Sequence, residues 1–146
     1  MITLRPFRTD DVDALQSLCY PTASKDELRS LVETWAHCDR TFEMLAIAHD
    51  DVPIGSVSLY RLADKTVSIG PDVFLRYRRK GYATEAMRLA MELAKERGFL
   101  IAFGQVRIDN AASIALHRKL GFETDEKVYR NGKGNEVYIF IKALFP

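Results

Sequence analysis

A chain of 146 residues that is 47% hydrophobic carries enough apolar material for one globular domain, which at this length buries roughly 70% of its unfolded surface. Its 21 basic and 20 acidic residues leave a formal charge of +1, which excludes a global field for nucleic acid or anionic membrane and makes any anion site local. No stretch approaches the ~20 apolar residues that span a bilayer, and the start MITLRPFRTDD lacks a signal-peptide core, so a cytoplasmic location is expected.

Residues 2–5 alternate as a strand, and 10–18 carry a helical pattern on Val12, Leu15 and Leu18. Ser24-Lys25-Asp26-Glu27 is a capping box, followed on one helix face by Leu28, Leu31, Val32 and Trp35. From Phe42 the period shortens to two, giving strands over 42–49, 54–62 and 66–74 with turns at Asp50-Asp51-Val52-Pro53 and Ala63-Asp64-Lys65. A longer helix follows, with Tyr82, Ala86, Leu89 and Leu93 on its apolar side, and Gly98 ends it. Residues 100–108 form a strand and 110–120 a short helix closed by Gly121, with Phe122 packing back. Segments 127–130 and 136–141 flank Asn131-Gly132-Lys133-Gly134, a hairpin signal. With no repeat or linker, residues 1–146 make a single α/β domain. Its mixed, mostly antiparallel sheet has six to seven strands and about four helices, with one parallel strand-helix-strand crossover between residues 66 and 108.

The stretch RYRRKGYATEAM (76–87) places Arg76, Arg78, Arg79, Lys80 and then Gly81 just before the long helix. The first turn of a helix has unpaired amides and positive dipole, so it receives phosphate where the main chain can approach closely. Gly81 permits that approach and tolerates positive φ, and Ala83 limits crowding. The alternative is a solvated basic loop between strand and helix. Downstream, in NAASIALHRKLGF (110–122), Asn110, Ser113 and His117 share one helical stripe. Asn110 as cap, Ser113 solvated and His117 complementing the dipole is the structural alternative.

Together these segments resemble the GNAT superfamily of N-acetyltransferases, most strongly the branch with ribosomal-protein N-terminal and small-molecule amine acetyltransferases. VFLRYRRKGYA looks like that family's strand and pyrophosphate loop, NAASIALHRKLGF is similar to its later motif, and ITLRPFRTDD to a common opening strand. The resemblance implies acetyl-CoA as cosubstrate and no metal. The main chain of Arg79, Lys80, Gly81, Tyr82, Ala83 and Thr84 would hold the pyrophosphate, with Arg78, Arg79 and Lys80 available to the outer phosphates. Pantetheine would pair with Val73, Phe74 and Leu75, and Asn110 and Ser113 would touch the cofactor further along. It also implies a small-molecule or peptide amine as acceptor, attacking the thioester directly in a ternary complex; a monomer or homodimer is expected.

Asp72 is the only carboxylate of TVSIGPDVF and so a candidate general base, with Glu43, Glu33 or a water chain as alternatives. Where the family frequently has a tyrosine to protonate the leaving thiolate, this chain has His117, a candidate acid. Trp35 and Tyr60 either line the acceptor pocket or belong to the core. Three other functions remain open at this point: a non-catalytic acyl-CoA sensor or scaffold, an acetyl-enzyme route through Cys19 or Cys38, and an RNA contact at Arg76 to Lys80. The last is disfavoured by the net charge and the lack of interleaved aromatics. Neither cysteine belongs to a CxxC pair, in keeping with the absence of a zinc site.

Overall fold

The computed structural model describes residues 1–37 and 41–145. Cys38, considered above for an acetyl-enzyme route, lies outside the described residues. The strands are β1 (Ile2–Pro6), β2 (Phe42–His49), β3 (Val52–Ala63), β4 (Thr66–Val73), β5 (Ile101–Arg107), β6 (Tyr129–Arg130) and β7 (Glu136–Ala143). The helices are α1 (Val12–Leu18), α2 (Lys25–Ala36), α3 (Tyr82–Glu96) and α4 (Ala111–Lys119). All seven strands form one sheet in the order β1-β2-β3-β4-β5-β7-β6, antiparallel except where β4 meets β5. That pair is the expected crossover, made by α3.

Local chemistry explains the boundaries. Ser24 accepts from the amide of Glu27 at 3.1 Å and starts α2. The first turn expected of α1 is instead a 3-10 turn, Thr9–Asp11. β3 begins two residues before the expected position because the turn from β2 is tight: Asp50 and Asp51 take φ of 49° and 68°, a primed hairpin that pairs His49 with Val52.

Two helical layers cover the sheet unequally. Leu45, Val57, Leu59, Val67, Ile69, Val73, Ala102, Val106 and Phe140 face α3 in the larger core. The buried stripe of α3 is Ala86, Met87, Ala90, Met91 and Ala94; Tyr82, Leu89 and Leu93, expected at its centre, are only partly buried at its rim. Three alanines bring the helix axis close to the sheet, so the larger side chains are left at the flanks. On the other face, α1 and α2 enclose Phe7, Val12, Leu15, Leu28, Val32, Ala46 and Phe74, with the Trp35 ring tilted against Phe7 at 4.7 Å between ring centres. Trp35 is thus partly buried at the edge of this smaller core, whereas Tyr60 is exposed opposite Phe42. At the carboxyl end Leu144 folds back, buried, with its amide donating to the Leu100 carbonyl at 2.8 Å, and Phe145 is exposed. Among the described residues no helix is long and apolar enough to cross a membrane.

Candidate active site

β4 and β5 pair only from Thr66 opposite Ile101 to Ser68 opposite Phe103, although β4 continues to Val73 and β5 to Arg107. Beyond that point the two parallel strands part at their carboxyl ends, the place where α/β sheets receive ligands. The neighbouring ladders show what lines the gap. Phe74 donates its amide to Ile54 O at 2.8 Å, so by antiparallel alternation Ile69, Pro71 and Val73 turn their main-chain groups away from β3 and into the gap. On the other side Ile108 N to Glu136 O (3.2 Å) and Leu144 N to Leu100 O (2.8 Å) set the phase, leaving Gln105 and Arg107 to face β4. Proline inside a central strand costs a ladder bond, but at Pro71 the missing N–H falls where β4 has no partner. The sequence reading passed over this residue, although it marks where the pairing ends.

After Phe74 the chain makes a 3-10 turn, Leu75–Tyr77, then passes through Arg79 at φ 65° and Gly81 at φ 81° into α3. The first amide of α3 to find a carbonyl is Glu85, on Gly81 O at 3.3 Å; the amides of Arg79 to Thr84 have none among the described residues, and Gly81 supplies no capping side chain. A Cβ built on Gly81 meets nothing within 4 Å, so the glycine borders open space. Open space beside unpaired amides is an arrangement that could receive an anion through the main chain.

The side chains around the loop are more committed than expected. Arg78 Nε donates to Val73 O at 2.8 Å, and its Nη2 lies 3.4 Å from Asp72 Oδ1. The Lys80 ammonium sits 5.9 Å from the centre of the Tyr77 ring, and Tyr82 packs on His49 at 5.3 Å. Of Val73, Phe74 and Leu75, only Val73 offers an outward main-chain edge, because Phe74 N is bonded to Ile54 and Leu75 opens the 3-10 turn. The available edge is thus Ile69 to Val73, lower than the sequence indicated.

The Asn110 stripe comes together as a helix start. Asn110 Oδ1 accepts from Ser113 N at 3.1 Å, and Ser113 O lies 2.8 Å from His117 Nδ1. A carbonyl only accepts, so the imidazole hydrogen is on Nδ1, and Nε2 is buried without a partner. The ring lies against Phe122 and Phe140, and a Cβ on Gly104 would stand 2.8 Å from Nε2. His117 is 3% exposed, and burial pushes its pKa below the ordinary 6.5, only partly offset by the Ser113 carbonyl. The neutral ring consequently has no free N–H to give a thiolate. This changes the expectation for His117: the geometry is that of a core residue joining α4 to β5 and β7. Because the unfolded chain takes up a proton near pH 6.5 and the native ring resists it, stability should fall as pH drops below 6.5, by up to about 1.4 kcal/mol per pH unit until the native group also protonates. Urea midpoints measured between pH 7.5 and 5 should show this slope in the wild type and a shallower one in His117→Gln; identical slopes would refute the assignment.

Asp72 projects on the α1 face of β4, opposite Ser56 of β3, is largely exposed and is engaged by Arg78. Glu43 is bound to Arg97 at the other end of the sheet, and Glu33 stays on the exposed side of α2. Neither joins the gap. Cys19 ends α1 close enough to Asp72 and Arg78 to feel both, but burial is the largest influence on its thiol and raises its pKa. An acetyl-carrying cysteine needs the thiolate, so this environment does not favour that route.

The family whose sequence model is described as an acetyltransferase (GNAT) domain matches residues 1–123. The chain belongs to this family and carries a GNAT acetyltransferase domain. Comparison with curated protein sequences finds no match. Among solved structures, an acetyl transferase from Salmonella typhimurium that modifies the N-terminal serine of 50S ribosomal subunit protein L7/L12 is similar, at 20% identity and TM-score 0.80 over 97% of this chain and 94% of that one. RimJ of Mycobacterium smegmatis, in complex with CoA-disulfide, is similar at 16% identity and TM-score 0.86, over 97% and 81% of the two chains. Spermidine N-acetyltransferase of Vibrio cholerae, in complex with CoA and spermine, gives 18% identity and TM-score 0.77 over 98% and 95%. At these identities the structural likeness establishes the fold.

Proposed function

We propose that the protein transfers the acetyl group of acetyl-CoA to the α-amino group of a peptide, by direct attack of the amine in a ternary complex. The observation that carries the cosubstrate is the parting of β4 from β5 directly beside the unpaired amides of Arg79 to Thr84. The amides receive the pyrophosphate, and the edge from Ile69 to Val73 offers pantetheine the Val73 N–H and the carbonyls of Ile69 and Pro71, the Ile69 N–H being used in the last pairing with β5. The Val73 carbonyl is already taken by Arg78. Asn110 and Ser113, at the start of α4 on the other side of the gap, flank the same ligand. Neighbours in complex with CoA support this reading.

In the transfer the amine nitrogen forms the C–N bond, the C–S bond breaks and coenzyme A leaves as thiolate, while the amine's proton passes to solvent. The choice of acceptor follows from proton cost. A lysine-like or polyamine nitrogen of pKa ~10.4 costs about 4.6 kcal/mol to deprotonate at pH 7, an α-amino group near 7.7 about 1 kcal/mol. Of the carboxylates considered as bases, Glu43 and Glu33 lie away from the gap, and Asp72, on the α1 face of β4, is engaged by Arg78. Without a committed base the weakly basic amine is the chemically accessible one, and a water chain suffices for its proton.

Thiol release from acetyl-CoA, followed against N-terminal peptides, lysine peptides, polyamines and aminoglycosides, tests both parts. N-terminal peptides should react fastest, with a rate that rises to a plateau near the pKa of the α-amine. Faster turnover of polyamines would overturn the acceptor assignment. Amine-independent release alone, across the whole panel, would overturn the transfer itself.

A further inference from the structure

We infer that Arg78 is a positioning residue of the anion loop, acting through the Val73 carbonyl rather than as a phosphate ligand; this rests on the acetyl-CoA reading above for its role in binding. The loop needs such a restraint. It holds a non-glycine residue, Arg79, at φ 65° two positions before Gly81 at φ 81°, and a left-handed arginine persists only where its surroundings enforce it. Within the loop, the side-chain bond that spans it is Arg78 Nε to Val73 O at 2.8 Å, which ties its start to the last residue of β4. The second contact, Nη2 to Asp72 Oδ1 at 3.4 Å, is longer and more exposed, and turns the guanidinium towards the strand end. The first contact uses an outward-facing carbonyl at the mouth of the gap. Arg78 thereby fixes the distance between the β4 edge, where pantetheine would pair, and the amides from Arg79 to Thr84, where the pyrophosphate would lie.

Side-chain length separates this role from phosphate contact. The Nε of arginine is the fourth heavy atom from Cα, and so is the amide nitrogen of glutamine; the lysine ammonium is the fifth. Glutamine can therefore reproduce the bond to Val73 without any charge, whereas lysine keeps the charge but places its donor differently. For a phosphate ligand the order reverses, since the charge carries the interaction.

The experiment compares Arg78→Gln, Arg78→Lys and Arg78→Ala in the full chain by two readouts. Calorimetry with coenzyme A should give a Kd within about threefold of wild type for Arg78→Gln and about tenfold weaker for Arg78→Lys and Arg78→Ala. Hydrogen exchange at the hydrogen-bonded amides that flank the loop, Tyr77, Arg78 and Glu85, measured without ligand, should be faster in the lysine and alanine variants and near wild type in the glutamine variant. Wild-type affinity in Arg78→Lys together with weak binding in Arg78→Gln identifies a phosphate ligand and overturns the inference, as does equal behaviour of all three variants. If the wild type fails to bind coenzyme A, the cosubstrate reading falls, and the exchange pattern alone still decides whether Arg78 holds the loop.

Discussion

Replacing Gly81 by valine is expected to weaken coenzyme A binding by at least a hundredfold, measured by calorimetry on protein whose fold is verified by its thermal midpoint. Gly81 stands at φ 81°, which costs an L-residue roughly 1–2 kcal/mol, and a β-branched side chain is worse placed than most. The larger effect is on the ligand. A Cβ at this position projects into the open space that the loop amides border, so an incoming diphosphate is held away from them. Losing two charge-assisted hydrogen bonds at ~1.5–3 kcal/mol each is enough for more than two orders of magnitude. Arg79→Ala removes an exposed cation worth roughly 0–1 kcal/mol, so it should weaken binding no more than about fivefold, with a greater loss at low salt. Equal losses from the two substitutions would show that charge, not main-chain approach, holds the anion.

Asp11→Ala should destabilise the protein by about 3–5 kcal/mol, read as a fall in thermal midpoint of roughly 10 °C or more. Asp11 is 3% exposed and takes a bidentate contact from Arg5, at 2.8 and 2.9 Å, while also accepting from the Arg8 amide at 2.8 Å. Arg5 Nε continues to Asp51 at 2.9 Å, so one arginine joins β1, the entry to α1 and the β2–β3 turn. Removing the carboxylate leaves a half-buried guanidinium and an amide without their partner, the costly way to break such a pair. Asp11→Asn keeps an acceptor and the volume and should lose less. A loss below about 1 kcal/mol for the alanine variant would mean that the Asp51 contacts alone hold the region together. The consequence reaches the site, because α1 carries Cys19 to the neighbourhood of Asp72 and Arg78.

The two substitutions probe features of different visibility. RxxGxA marks the proposed anion loop because only glycine combines positive φ with an unobstructed main chain, and that is a property of one residue. The Arg5 clamp is not announced, since ITLRPFRTDD and the Asp50-Asp51 turn are far apart in sequence and meet only when β1 pairs with β2. His117 shows the same limit from the other side. Its spacing from Asn110 and Ser113 defines one stripe, but a helical stripe does not say whether it faces a ligand or a core. Packing against Phe122, Phe140 and Gly104 decided that. Arg78 likewise reads as one cation among four until the strand end brings the Val73 carbonyl within reach.

By itself the sequence determined the order of strands and helices, the crossover through α3, the glycine at the start of α3 and, by resemblance, the family. These rest on periodicity, capping and backbone freedom, which are written within a few residues of one another. The tertiary structure alone decided where β4 leaves β5, which main-chain groups face the gap, and which titratable side chains are engaged elsewhere. Those depend on sheet register and on contacts between segments that are distant along the chain, so local pattern has no means of encoding their outcome one residue at a time.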